Sequence, residues 1–269
     1  QYGIDDTISS RNSFPIAFIS RYGIFLAAFA FPYMLCSFFK KENYIYYPRF
    51  AMLLLIAPAI FSLKTSLRVS VNLTAVSTEN DYWNHVIYWP FHLVIIISIL
   101  FIIWKIADKD QPFYGFKSKG IDWKPYLIML LIMVPLIAAA STQPDFLAMY
   151  PKLKMIAAND GTVLSGWQKT LYELAYGTDF ISIELFFRGF LILAFIKWAG
   201  KDAILPMTCF YCTIHFGKPL AECISSYFGG IILGVVVYHT RSILGGLIVH
   251  LGIAWMMELG GCIGSKLFE

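Results

Sequence analysis

The stretch Ile183-Glu184-Leu185-Phe186-Phe187-Arg188-Gly189-Phe190 decides the architecture. Apart from Glu184 and Arg188 it is composed for lipid. Charge at membrane depth is costly, so such residues face the interior of a helix bundle and mark function. Their i, i+4 spacing puts both on one helical face, where they can pair. Two further ionisable groups lie in apolar runs downstream, His215 in Tyr211-Cys212-Thr213-Ile214-His215-Phe216 and His250 in Gly246-Leu247-Ile248-Val249-His250. A carboxylate, an arginine and two histidines on separate apolar helices describe a buried polar site. The expected fold is all-α, a polytopic integral membrane protein of about eight transmembrane helices.

Composition agrees with that fold and excludes others. Of 269 residues, 58% are hydrophobic and 14% charged, whereas soluble domains carry about 25% charged residues. Aromatics reach 17%, with 23 Phe and 16 Tyr, as lipid-facing surfaces and interfacial belts require. The formal charge of +4 is dispersed through loops, with no basic stripe for nucleic acid. All five cysteines lie in apolar segments, and an odd number there is not a disulfide framework. The sequence begins at Gln1 with no cleavable signal peptide, which leaves room for a start further upstream.

A bilayer crossing needs about 20 mostly apolar residues. Runs between charge clusters give spans at 20–39, 50–64, 86–106, 125–142, 170–197, 202–216, 224–240 and 243–260. Pro58, Pro135 and Pro206 interrupt three of them. The span 170–197 carries five charged residues and should be wrapped by its neighbours. Residues 1–141 form a motif-free group of transmembrane helices, 142–168 a linker, and 169–269 a polar core. The linker includes Asn159-Asp160-Gly161 and a stretch expected to lie on the membrane surface, Phe146-Leu147-Ala148-Met149-Tyr150. The Lys-rich loops at 40–49 and 105–124 place that side in the cytoplasm and both termini outside. The sequon Asn72-Leu73-Thr74 carries no weight, because chance matches are common.

Each candidate has a structural reading beside its chemical one. Glu184 and Arg188 can be an orienting ion pair, or a base towards water kept ionised by its neighbour. His215 precedes the helix-breaking Phe216-Gly217-Lys218-Pro219, at the mouth of a possible cavity. Cys209, Cys212 and His215 have a spacing that suggests metal ligands but winds around the helix, and membrane cysteines usually behave as small hydrophobes. His250 lies between Gly245-Gly246 and Gly252, on a helix that small residues make central. His85, His92 and His239 read as structural or interfacial. Glu258, two turns beyond His250, is a second-rank carboxylate.

With these residues in place, about 170–260 resembles the CAAX-protease and bacteriocin-processing (CPBP, Abi) family of intramembrane proteases, relatives of the Ras-converting CAAX endopeptidase. Its motifs are Glu-Glu-x-x-x-Arg-Gly, Phe-x-x-x-His and His-x-x-x-Asn. They fall on Ile183-Glu184 through Arg188-Gly189, on Tyr211 through His215, and on His250 through Ala254. Gly229-Gly230 and Gly234 resemble the family's following helix. The resemblance implies an eight-helix fold in a bacterial inner membrane, with the lipid bilayer and a peptide or prenylated (CAAX-type) protein as partners. It implies that Glu184 and His215 activate a water and that His250 stabilises the oxyanion, with Arg188 supporting. Zinc is the family's traditional cofactor. A metal-free glutamate mechanism is preferred, so no metal ligand or cofactor is assigned.

Two catalytic positions depart from the pattern: Ile183 replaces the first Glu and Ala254 the Asn. Loss of one oxyanion donor costs about 10²–10³-fold in rate. Glu184 is then either the base by substitution, or the remnant of a relative that has lost catalysis and binds a membrane peptide or partner. A transporter using Glu184 as a proton relay is a third class, weakened by the lack of an internal repeat.

Overall fold

The computed structural model describes residues 13–117, 121–154 and 164–268. Among these residues there are helices and turns and no strand. The helices are α1 (Phe14–Lys40), α2 (Pro48–Ser66), α3 (Ser77–Ile103) and α4 (Lys124–Ala140). They continue with α5 (Gly166–Glu184), α6 (Ile204–Thr213), α7 (Leu220–Thr240) and α8 (Leu244–Phe268). A π-helical turn, Trp104–Asp108, extends α3, and a longer π-helix, Leu185–Ala194, extends α5. All eight expected spans coincide with these helices.

Length separates the helices into two kinds. Five are long and apolar enough to cross a membrane: Phe14–Lys40, Pro48–Ser66, Glu79–Asp108, Leu220–Thr240 and Leu244–Leu267. At 1.5 Å per residue, the 27 residues of α1 cover more than a hydrocarbon core of about 30 Å. The 10 residues of α6 reach only about half of it. The chain is an all-α polytopic membrane protein.

The chain forms two compact units. Unit 1 comprises Gln1–Arg68, Ile95–Lys119 and Ile183–Ile243, and unit 2 comprises Val69–Val94, Gly120–Ser182 and Leu244–Glu269. In unit 1, α1 packs on α2 and α6, and α6 packs on α7. Its core is aromatic. Phe61 meets Phe186 at 5.0 Å and Phe187 at 4.9 Å between ring centroids, and Phe187 meets Phe210 at 5.2 Å. Such pairs add about 0.5–1.5 kcal/mol each beyond the area they bury. The α6–α7 contact depends on small residues. A Cβ on Gly234 would lie 2.9 Å from both Ile204 Cγ2 and Met207 Cε, and one on Gly230 would lie 3.0 Å from Thr208 Cγ2. Glycine at these positions lets the two backbones approach.

In unit 2, α8 packs on α4 by the same device. A Cβ on Gly245 would fall inside the Tyr126 ring, 2.0 Å from Cζ, and one on Gly252 would lie 2.7 Å from Leu130 Cδ2. The segment expected to lie on the membrane surface packs against α4 and α8. Phe146, Leu147 and Tyr150 are buried with Ile137, against Met133, Ile253 and Met256. Backbone of this segment also seats on α8, where a Cβ on Gly261 would lie 2.5 Å from the Tyr150 carbonyl carbon. The reason is shape: glycines on α8 leave a groove that the apolar side chains of this short segment fill. The expected turn at Asn159-Asp160-Gly161 lies outside the described residues.

Candidate functional site

The charged stretch is wrapped, as its composition requires. Every residue from Leu185 to Ala194 is buried, and the backbone there leaves α-geometry for the wider π-form directly after Glu184. π-turns are rare and concentrate at functional sites. Glu184 is 0% exposed and Arg188 1%, with Nη1 of the arginine 3.1 Å from Oε1 of the carboxylate. The Arg188 guanidinium also lies over the Tyr211 ring, 3.9 Å from its centroid. A planar, weakly hydrated guanidinium suits both contacts in a way an ammonium does not.

Tyr211 carries the polar path to the histidine. It lies on α6, which ends at Thr213, and His215 sits in the following turn, 7% exposed. The Tyr211 and His215 rings meet edge-on at 4.8 Å, and His215 Nδ1 lies 3.3 Å from the Tyr211 carbonyl oxygen. When Nδ1–H donates to that carbonyl, Nε2 is the ring's acceptor nitrogen, the form a proton-accepting histidine needs. The turn is held by His215 N–H donating to Cys212 O at 3.0 Å, by Lys218 N–H donating to His215 O at 3.2 Å, and by Gly217 at φ +94°. Unit 1 thus places Glu184, Arg188, Tyr211 and His215 in sequence, each touching the next.

A buried hook fixes the helix that bears this pair. After the π-turn at 104–108, Phe113–Gly115 folds back with Tyr114 at φ +35° and Gly115 at φ +80°. A Cβ on Gly189 would lie 2.7 Å from the Tyr114 carbonyl oxygen, so the hook's backbone lies directly on the residue after Arg188. Tyr114 Oη donates to Asp108 Oδ2 at 2.9 Å, and Lys197 Nζ reaches Asp108 Oδ1 at 2.5 Å. Ile243 N–H donates to Gly115 O at 3.0 Å, and Ser242 Oγ to Lys117 O at 2.7 Å. Burial, and then the neighbouring Asp108 charge, push the Tyr114 phenol well above its ordinary range. Sequence reading missed this clamp. Its only signal is Asp108 and Lys197 flanking apolar spans, which does not reveal that they meet.

His250 belongs to unit 2, where its ring packs edge-on against Phe180 at 4.8 Å. One turn further, Ala254 is buried in an apolar cluster with Tyr82, Val86, Trp89, Tyr172 and Tyr176. Two turns further, Glu258 is buried and accepts the Lys152 backbone N–H at 2.9 Å on Oε2. Gly252 faces Leu130, so added bulk there disturbs helix packing rather than filling a cavity. Of the remaining histidines, His85 is exposed with Nδ1 2.8 Å from Asp81 O, and His92 is buried with Nδ1 2.6 Å from Tyr88 O. Structural zinc sites take four protein ligands and catalytic ones three. Among the described residues no group of three His, Cys, Asp or Glu side chains converges.

A charged pair and a histidine enclosed by apolar helices define an integral membrane protein with a polar site inside its bundle. Residues 172–256 match the family model described as Rce1-like, type II CAAX prenyl endopeptidase Rce1-like. This segment, which carries all three motifs, therefore groups with the CAAX proteases. No curated protein and no solved structure matches the chain.

Proposed function

We propose that the protein is an intramembrane endopeptidase of the CAAX type. It would cleave a peptide bond in a membrane-associated or prenylated protein, in a bacterial cell membrane. The observation that carries this reading is the buried sequence of contacts from Glu184 through Arg188 and Tyr211 to His215. Glu184 takes a proton from water, and the water oxygen attacks the scissile carbonyl carbon. The oxyanion that forms needs fixed donors, a role we assign to His250. Collapse of the tetrahedral intermediate breaks the C–N bond, and the proton returns to the leaving amine through Glu184 or His215. Arg188 acts as a positioning residue, holding the carboxylate through one contact and Tyr211 through the other. No step is assigned to a metal.

The non-catalytic reading has one observation in its favour. Ala254 stands where the family carries an oxyanion donor, and its surroundings are apolar. A peptide-binding relative keeps the enclosure and loses the chemistry.

One experiment separates the two readings. The purified chain, reconstituted in liposomes, is given a fluorogenic prenylated peptide, and both hydrolysis and peptide binding are measured. Glu184→Gln and His215→Ala are each expected to lower kcat/KM by about 100-fold or more while binding persists. Ile183→Glu, which restores the family's first carboxylate, is expected to leave the base at Glu184 and give no gain. Unchanged hydrolysis in Glu184→Gln and His215→Ala sinks the catalytic reading. Binding without hydrolysis in the unmodified chain establishes the other.

A further inference from the structure

Three sets of groups lie outside the proposed chemistry: the Asp108–Tyr114–Lys197 clamp, the Glu258 carboxylate with nearby Glu173, and the cysteines of the α6–α7 hairpin. The clamp is fully used in holding the hook. Glu258 is used in anchoring Lys152. The cysteines have no assigned role.

Cys212 lies on the last turn of α6 and Cys223 on the first turn of α7. Cys212 Sγ is 3.7 Å from the Cys223 carbonyl oxygen, so one thiol touches the residue that bears the other. Both are half-buried rather than enclosed. They sit beside the polar turn of the hairpin, where Lys218 Nζ pairs with Glu222 Oε1 at 2.6 Å. Gly230 and Gly234 hold the two helices close enough for cross-helix contact of this kind. Cys209 is no competitor. It sits three residues before Cys212 on the same helix, where Cβ atoms are about 5–6 Å apart, beyond the roughly 3.8 Å mean of a disulfide.

We infer that Cys212 and Cys223 form a reversible disulfide that closes the turn carrying His215. A peroxide is the oxidant. One thiolate attacks it to give a sulfenic acid and hydroxide, and the second thiol displaces water from that sulfur. In sum, two thiols and one peroxide give one disulfide and two waters. A thiol reductant restores the starting state by exchange. The consequence is mechanical. His215 N–H donates to the Cys212 carbonyl, so the covalent link fixes the residue that orients the histidine's backbone. The bond would restrict the opening of the segment between the two cysteines and with it the position of the imidazole. The inference does not depend on hydrolysis, because the link can form whether or not the chain is an enzyme.

The test uses the full chain in detergent micelles, reduced and then treated with hydrogen peroxide. Digestion without reductant is expected to release one cross-linked peptide pair joining Cys212 to Cys223, absent after treatment with dithiothreitol. Cys209→Ser, Cys36→Ser and Cys262→Ser should leave that pair intact, and Cys223→Ser should abolish it. Hydrogen exchange in the turn should slow by about tenfold on oxidation of the unmodified chain. This readout needs no variant, so a poorly folding substitution cannot obscure it. Peroxide that leaves both thiols unlinked, or links either to another cysteine, overturns the disulfide. A disulfide with unchanged exchange overturns its effect on the turn.

Discussion

Replacing Gly189 by alanine sets two effects of known size against each other. In a helix interior, Gly to Ala gains about 1 kcal/mol, because glycine gives up more backbone freedom on folding. At Gly189 the new methyl group would sit 2.7 Å from the Tyr114 carbonyl oxygen and 3.1 Å from Tyr114 Cβ. The nearest atom is backbone, and that backbone is tied down by the Asp108, Ile243 and Ser242 contacts. The hook therefore cannot yield as a long side chain would. Overpacking costs about 1–3 kcal/mol, with this geometry at the upper end. The net expectation is about 2 kcal/mol of destabilisation, or a fall in Tm of about 4–8 °C for a chain of this size. Gly229 is the control. It is also helical, but a Cβ there meets nothing within 4 Å, so Gly229→Ala should gain up to about 1 kcal/mol. Thermal unfolding of both variants in one detergent gives the comparison. Truncating Tyr114 to alanine should not rescue Gly189→Ala, because its carbonyl oxygen and Cβ remain. If Gly189→Ala proves as stable as Gly229→Ala, the hook does not constrain the helix and the reasoning fails.

Arg188→Leu leaves the fully buried Glu184 without its arginine, and breaking such a pair costs about 3–5 kcal/mol. Arg188→Lys keeps the charge but loses the planar stack on Tyr211, so denaturation midpoints should rank unmodified chain, Lys variant, Leu variant. An equal midpoint for Lys and Leu would show that the stack, not the charge, dominates. Tyr114 supplies a pH effect. Its folded pKa is raised above the ordinary value of 10.0, so between the two values the unfolded chain has lost a proton that the folded chain keeps. The associated stability is complete below about pH 10 and declines as pH rises beyond it. Tyr114→Phe should flatten that alkaline decline in a stability–pH series. An identical decline in the phenylalanine variant assigns it to other groups.

What was legible in the sequence was the part set by local composition. Long apolar runs declare themselves, so every expected span met a helix, and the Glu184–Arg188 contact followed from spacing on a single element. Contacts between elements were not legible. Asp108 and Lys197 are far apart in sequence, and neither carries a sign of the other. Phe146 and Tyr150 read as an interfacial stretch because the glycine groove on α8 that receives them has no local signature. The position of Tyr211 was clear from its motif. Its role as the surface on which Arg188 lies was hidden, since a tyrosine at a phenylalanine position looks like plain core.

The π-helix bears on the departure at position 183. On a continuous α-helix adjacent residues point about 100° apart, and a carboxylate moved from 183 to 184 would face a different wall. Here the three residues between the carboxylate and Arg188 lie in a wider turn, which changes the angle between the two halves of the motif. In that frame Glu184 reaches Arg188, while Ile183 is buried in the aromatic core of unit 1. A charge at 183 would have to be desolvated among apolar side chains, a cost that isoleucine avoids. The wide turn and the isoleucine are thus consistent with each other. The backbone carries the charge at 184, and the residue before it is chosen for packing.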